Sequence, residues 1–174
     1  MARVESFAKR LNGRVMEIRH PTIEDAEHLR SLYLELLGNT FASILPPEAI
    51  IAFESDWTTE LIAQSSVGEN CVVIGAFNDA NNALGLLFGG TPEGGVGTIV
   101  WLGVHTDHRS SGIGRALMEA GFETYRALGC HKVKLYANSD KIVEFYKHMN
   151  MVIEGRHTRH WWGVNTHSLA KFLD

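Results

Sequence analysis

The sequence predicts one α/β domain built on a single mixed, mostly antiparallel sheet of six or seven strands, flanked by about four helices. Three observations predict it. Apolar residues make up 45% and charged residues 21% of the 174 residues, the balance of a globular chain large enough for a real core. Between 71 and 105, apolar runs alternate with turn-forming clusters, the pattern of antiparallel hairpins. A strand, a helix and another strand then follow over 96–137, which reads as a parallel crossover, so the sheet is expected to be mixed.

Residues 1–13 read as a loose arm or short helix stopped near Gly13. "RVMEIRH" (14–20) has strand character, and "PTIEDAEHLRSLYLELLG" (21–38) is a helix. Thr22 is its expected cap with Asp25 three residues on, and Gly38 its expected end. Ala26, Leu29, Leu32, Tyr33 and Leu36 form its apolar stripe. Pro46 and Pro47 lead into a second helix over roughly 47–65. Strands are expected at 71–77, 83–90 and 96–105, with turns "NDANN" and "TPEGG" between them. A helix over 112–128 presents Ile113, Leu117, Ala120, Gly121, Tyr125 and Leu128 on one face. A strand at 131–137 follows, then a short helix at 139–149 capped by Asn138 or Ser139. Segments 151–162 and 166–173 read as a closing antiparallel pair.

Composition narrows the function. Sixteen basic against twenty acidic residues give a net charge of −4, which argues against nonspecific nucleic-acid binding. No apolar run is long enough to span a membrane, so no membrane partner is expected. Two cysteines, Cys71 and Cys130, do not make a disulfide framework and read as buried thiols. "MARVESFAKR" lacks the apolar stretch of a secretory signal, so the cytoplasm is the expected location.

The informative stretch is "HRSSGIGRAL" (108–117). Backbone amides at a helix start have no intrahelical partner, and the helix dipole adds positive potential there. A phosphate or pyrophosphate suits that place if the chain is bare enough to approach. Gly112 and Gly114 leave room, Ser110 and Ser111 add small donors, and Arg109 and Arg115 add charge. It is not a P-loop, because Arg115-Ala116 stands where Lys-Ser/Thr is required. It is not a Rossmann fingerprint, because Leu117 occupies the place of the third glycine.

With these residues the chain resembles the GNAT N-acetyltransferase family. The family's acetyl-CoA motif reads roughly V-x-x-x-x-R/Q-x-x-G-x-G/A, and "VHTDHRSSGIG" runs from Val104 to Gly114. A second motif agrees: "LYANSDKIVEFYKHMNMVIEG" supplies Asn138, Phe145, Tyr146 and a turn at Asn150-Met151. Asn150 stands where glycine is usual and tolerates the left-handed backbone such a turn needs. The motifs span about 104–155. The strand order extends the resemblance over 15–173 as an N-acetyltransferase domain, with residues 1–14 as an N-terminal arm.

The resemblance implies acetyl transfer from acetyl-CoA to a primary amine of a small molecule or peptide, by direct attack in a ternary complex. It implies a CoA site formed by Leu102, Val104, Arg109, Ser110, Ser111, Gly112, Ile113, Gly114, Arg115, Asn138 and Tyr146, with Tyr146 protonating the departing thiolate. A backbone amide of 102–104 would meet the thioester oxygen. Some members carry a glutamate base where this chain has Thr98, so the nearest ionisable candidates for a base are His105, Glu35 and Glu93. "HTDH" and "HTRHWW" bring histidines near one another, but residues three apart on a strand face opposite ways, so no metal is expected. His157, His160, Arg159, Trp161 and Trp162 line a substrate mouth in one reading and cap the sheet's core in the other. Glu35, Glu48, Glu54, Asp56 and Glu60 over the acceptor side would favour a cationic amine such as a polyamine, an aminoglycoside, a lysine or a peptide N-terminus. A non-catalytic acyl-CoA-binding sensor or structural protein on the same fold is the alternative. An exposed sheet edge leaves a homodimer open.

Overall fold

The computed structural model describes residues 7–11, 14–67 and 71–173. Eight strands form one sheet: β1 (Phe7–Leu11), β2 (Arg14–Arg19), β3 (Val72–Phe77), β4 (Ala83–Gly89), β5 (Val96–Val104), β6 (Lys132–Ala137), β7 (Val152–His157) and β8 (Thr166–Phe172). Their order across the sheet is β1-β2-β3-β4-β5-β6-β8-β7. Every neighbouring pair is antiparallel except β5–β6, which is parallel, as the crossover predicts. The eighth strand is β1, read from sequence as part of the arm. It pairs with β2 from Phe7↔Ile18 to Leu11↔Arg14 and adds an edge to the sheet.

Five helices cover the sheet: α1 (Ala26–Asn39), α2 (Pro47–Asp56), α3 (Thr59–Val67), α4 (Ile113–Ala127) and α5 (Asp140–Lys147). The second helix of the sequence reading is two helices. Trp57 leaves helical geometry at φ −116, ψ 72 and stacks on Phe88 at 4.3 Å. Thr58 restarts the chain, its hydroxyl accepting from the Leu61 amide at 3.2 Å. Burying an indole outweighs the continuity of one helix. Gly38 lies inside the last turn of α1, which runs to Asn39. Leu128 is exposed at the end of α4 rather than part of its buried face, and Cys71 is only half-buried.

Two apolar layers hold the sheet. One packs α4 and α5 residues such as Leu117, Tyr125, Val143 and Tyr146 against Ile74, Leu87 and Val133. The other packs Leu29, Tyr33 and Leu36 of α1 and Ile62 of α3 against Val73, Phe88 and Trp101. Covered on both faces, β3 is buried along its whole length, which is why its sequence is a continuous apolar run.

The entry to α1 is pinned by a buried charge. Asp25 is 1% exposed, accepts from the Thr22 amide at 2.7 Å and from Asn81 at 2.9 Å, and forms a two-pronged ion pair with Arg19. Burial pushes its carboxyl up, but these hydrogen bonds and the charge of Arg19 overcome that and hold it well below the usual carboxylate range. A depressed carboxylate stabilises the fold above its unfolded pKa and loses that contribution as pH falls through the folded value. Asp25→Ala should therefore cost about 3 kcal/mol by removing the buried partner of Arg19 and leaving the Thr22 amide without its acceptor, seen as a melting-temperature drop on the order of 10 °C at pH 7. The drop should shrink as pH falls below about 4; a variant melting like wild type at pH 7 would contradict this.

Candidate active site

β5 positions the site, through a bulge. Gly89 pairs with Ile99 but Phe88 pairs with Trp101, so Val100 is an extra residue on β5. The insertion shifts the alternation. Ile99 faces the α4 layer, whereas after the bulge Trp101 faces the α1 layer and Leu102 and Val104 face α4. Below the bulge, Tyr125 of α4 places its hydroxyl 2.9 Å from Thr98 O and 3.0 Å from Gly90 O, with its ring over Gly97, where a side chain would collide with it.

β5 pairs with β6 only over Val96–Thr98 against Lys132–Lys134. Beyond Thr98 the strands part and a cleft of about 470 Å³ opens between them. Leu102, Val104, Ile142, Phe145 and Tyr146 line it from the α4 and α5 layer; Phe41, Phe53 and Trp101 line it from the α1 layer. Residues from both faces of the sheet thus meet around one cleft.

The bare loop lies at one mouth of this cleft. Gly112 has φ 89 and immediately precedes α4, and Ser110 is also left-handed at φ 60. The Ala116 amide bonds Gly112 O at 3.0 Å, which leaves the amides of Ile113, Gly114 and Arg115 without an intrahelical acceptor. Amides in this arrangement suit an anion. Gly112 is required by its backbone; Gly114 is not, since a Cβ there would meet only the Phe145 ring at 3.5 Å and Val104 at 3.7 Å. The Ile113 side chain is buried in the core, so only its backbone faces the loop's outer side. Ser111 donates its hydroxyl to His108 O and shapes the turn.

The two arginines differ from their expected placement. Arg109 lines the cleft, but its guanidinium donates to Thr40 Oγ1 at 2.6 Å and to Val104 O at 3.3 Å, clasping β5 to the end of α1. Arg115 reaches His148 O, past the end of α5, at 3.4 Å. Ser139, not Asn138, caps α5, which leaves Asn138 on the cleft wall. Asn150 takes the left-handed backbone expected of it, φ 60.

Tyr146 is 7% exposed, and burial raises its hydroxyl pKa above the ordinary value. It is a protonated donor at neutral pH, on the wall of the cleft. His105 is absent from that wall. As the odd–even alternation with Val104 suggests, its ring turns toward α1, with Nε2 3.4 Å from Glu35 Oε1. Its Nδ1 accepts from the Asp107 amide at 3.2 Å, so in the neutral ring Nε2 carries the proton. Both nitrogens make contacts away from the cleft wall. Glu93 sits in the β4–β5 turn, paired with Val96.

The residues that sequence reasoning missed are Phe41, Phe53, Trp101 and Tyr136, all on the cleft wall. Spacing could not reveal Trp101 and Phe41, because the bulge reverses the phase of β5 and the α1–α2 loop has no periodicity; Phe53 on α2 and Tyr136 on β6 join them only through the packing of the fold. Trp161 and Trp162 do line the mouth. His157 and His160 are closer than the strand argument allows, with rings 5.0 Å apart, because β7 ends at His157 and the chain turns there. Among the described residues no group of three metal-ligating side chains converges. Glu48, Glu54, Asp56 and Glu60 are exposed and none of them lines the cleft.

The acetyltransferase (GNAT) family model matches residues 31–151, which include the bulged strand, the loop and Tyr146. The chain belongs to the GNAT acetyltransferase family. As a member it is an acetyl-CoA-dependent acetyltransferase. Solved structures share the fold. PaiA N-acetyltransferase from Thermoplasma acidophilum, in complex with coenzyme A, aligns at TM-score 0.73 and 21% identity, over 90% of this chain and 98% of that one. Ribosomal-protein-S5-alanine acetyltransferase from Vibrio fischeri aligns at TM-score 0.75 and 12% identity, over 98% of each chain. A spermidine N-acetyltransferase chimera from Vibrio cholerae aligns at TM-score 0.69 and 16% identity, over 91% and 95%. No curated protein sequence matches the chain. No helix among the described residues is long and apolar enough to cross a membrane.

Proposed function

We propose that this acetyltransferase transfers acetyl to a primary amine by direct attack within a ternary complex. The observation that carries the reading is a cleft between β5 and β6 lined from both layers, with the bare loop before α4 and the buried Tyr146 on the α4 and α5 side and an aromatic wall on the α1 side. The amides of Ile113–Arg115 hold the CoA pyrophosphate. Leu102 and Val104 border the pantetheine arm, and Asn138 bounds the reacting end. Acetyl-CoA supplies the thioester carbonyl that the amine attacks and the thiolate that leaves. A β5 amide facing the gap meets the carbonyl oxygen as charge develops there.

The new C–N bond forms as the C–S bond breaks. Tyr146 donates its proton to the sulfur, and the amine nitrogen loses one. With both nitrogens of His105 in contacts away from the cleft wall, that second proton leaves through water, or the amine enters already neutral. His105 then acts by holding the end of β5 against α1.

Direct attack requires both substrates bound at once. Initial rates measured at several fixed acetyl-CoA concentrations should give intersecting double-reciprocal lines. Parallel lines would indicate an acetylated protein intermediate and contradict the proposal.

A further inference from the structure

We infer that the acceptor is a monoamine carried on an aromatic or bulky apolar body, rather than a polycation. This rests on the acetyl-transfer reading and specifies the acceptor end of the same cleft.

Chemistry at that end is aromatic. Phe41, Phe53, Trp101, Tyr136, Trp161 and Trp162 line it. Trp101 is the hub, with Phe41 at 4.9 Å and Phe53 at 5.0 Å edge-on to it, and Phe53 lies 6.1 Å from Trp162. Tyr136 and Trp161 close the opposite wall at 5.3 Å. These rings pack edge-on against one another and present a continuous aromatic wall, against which an apolar group can lie.

Charge points the same way. Among the described residues, the charged side chains lining the cleft are Arg109 and Lys141, both cationic, and no carboxylate joins them. Polyamines and aminoglycosides carry several ammonium groups that need anionic partners inside the site. The carboxylates of α2 and α3 face outward, and Glu35 is committed to His105. Ring faces can hold one ammonium, but the further charges of a polycation would meet only Arg109 and Lys141.

The tryptophan turn adds an independent observation. Trp162 holds a left-handed backbone, φ 57 and ψ 26. A non-glycine residue adopts that conformation at a cost in backbone strain. Yet its side chain remains 44% exposed, and Trp161 is 58% exposed. The strain is not repaid by burial in the free protein; it keeps two indoles at the mouth, where a bound apolar group would cover them.

The test is calorimetry with CoA first, then with tryptamine and separately with spermidine, on wild type and on the Trp161→Ala/Trp162→Ala double variant. Both tryptophans are exposed enough for the variant to fold, which circular dichroism checks. Tryptamine should bind wild type, spermidine should bind at least tenfold more weakly, and the variant should lose at least tenfold in tryptamine affinity with CoA binding unchanged. Spermidine binding as tightly as tryptamine, no tryptamine binding, or tryptamine affinity untouched in the variant would overturn the inference. Absent CoA binding would instead overturn the acetyl-CoA reading, and amine titrations run without CoA would still decide the acceptor class.

Discussion

Gly112→Glu should abolish detectable acetyl-CoA binding, a loss of at least a hundredfold by isothermal titration. Two effects combine. Residue 112 sits at φ 89, where a side chain strains the backbone by roughly 1–2 kcal/mol. The added carboxylate also enters the mouth of the amide cradle, where the helix N-terminus is set to receive phosphate oxygens. Gly112→Ala separates the two, keeping the strain without the charge, and should bind several-fold more weakly than wild type. Retained binding in the glutamate variant would place the pyrophosphate elsewhere.

Tyr146→Phe should lower kcat by roughly 10²- to 10⁴-fold, the range for a lost general acid, while the dissociation constant for acetyl-CoA stays within about twofold. The ring keeps its packing in the α4 and α5 layer and only the proton donor is lost. Burial raises the hydroxyl pKa, so in wild type no alkaline loss of kcat assignable to Tyr146 should appear below about pH 10. A phenylalanine variant with wild-type turnover would remove the proton-donor role.

Much of this was legible in the residues. Hairpin punctuation and the crossover predicted the mixed sheet. The loop's need for glycine at 112 and the left-handed Asn150 follow from φ requirements that few residues meet. Other features depend on packing across the chain. Trp57 breaks a helix because Phe88, thirty-one residues later, offers a stacking surface. The Val100 bulge is visible only against β4, so the aromatic lining it creates around Trp101 had no local signature. Acidic residues on 47–60 looked like an acceptor site because periodicity alone does not say which face of a helix is turned to solvent. That Arg109 also reaches Thr40, sixty-nine residues away, follows from the fold and has no local signature.

The most direct test of the central claim is to incubate the protein with acetyl-CoA and a panel of aromatic, apolar and polycationic amines, reading free CoA thiol and the mass of the amine together. Stoichiometric thiol release with a 42-Da gain on the amine, absent in Gly112→Glu, is the predicted result. Tight acetyl-CoA binding with no release across the panel would contradict it and leave a protein that binds acyl-CoA without turning it over.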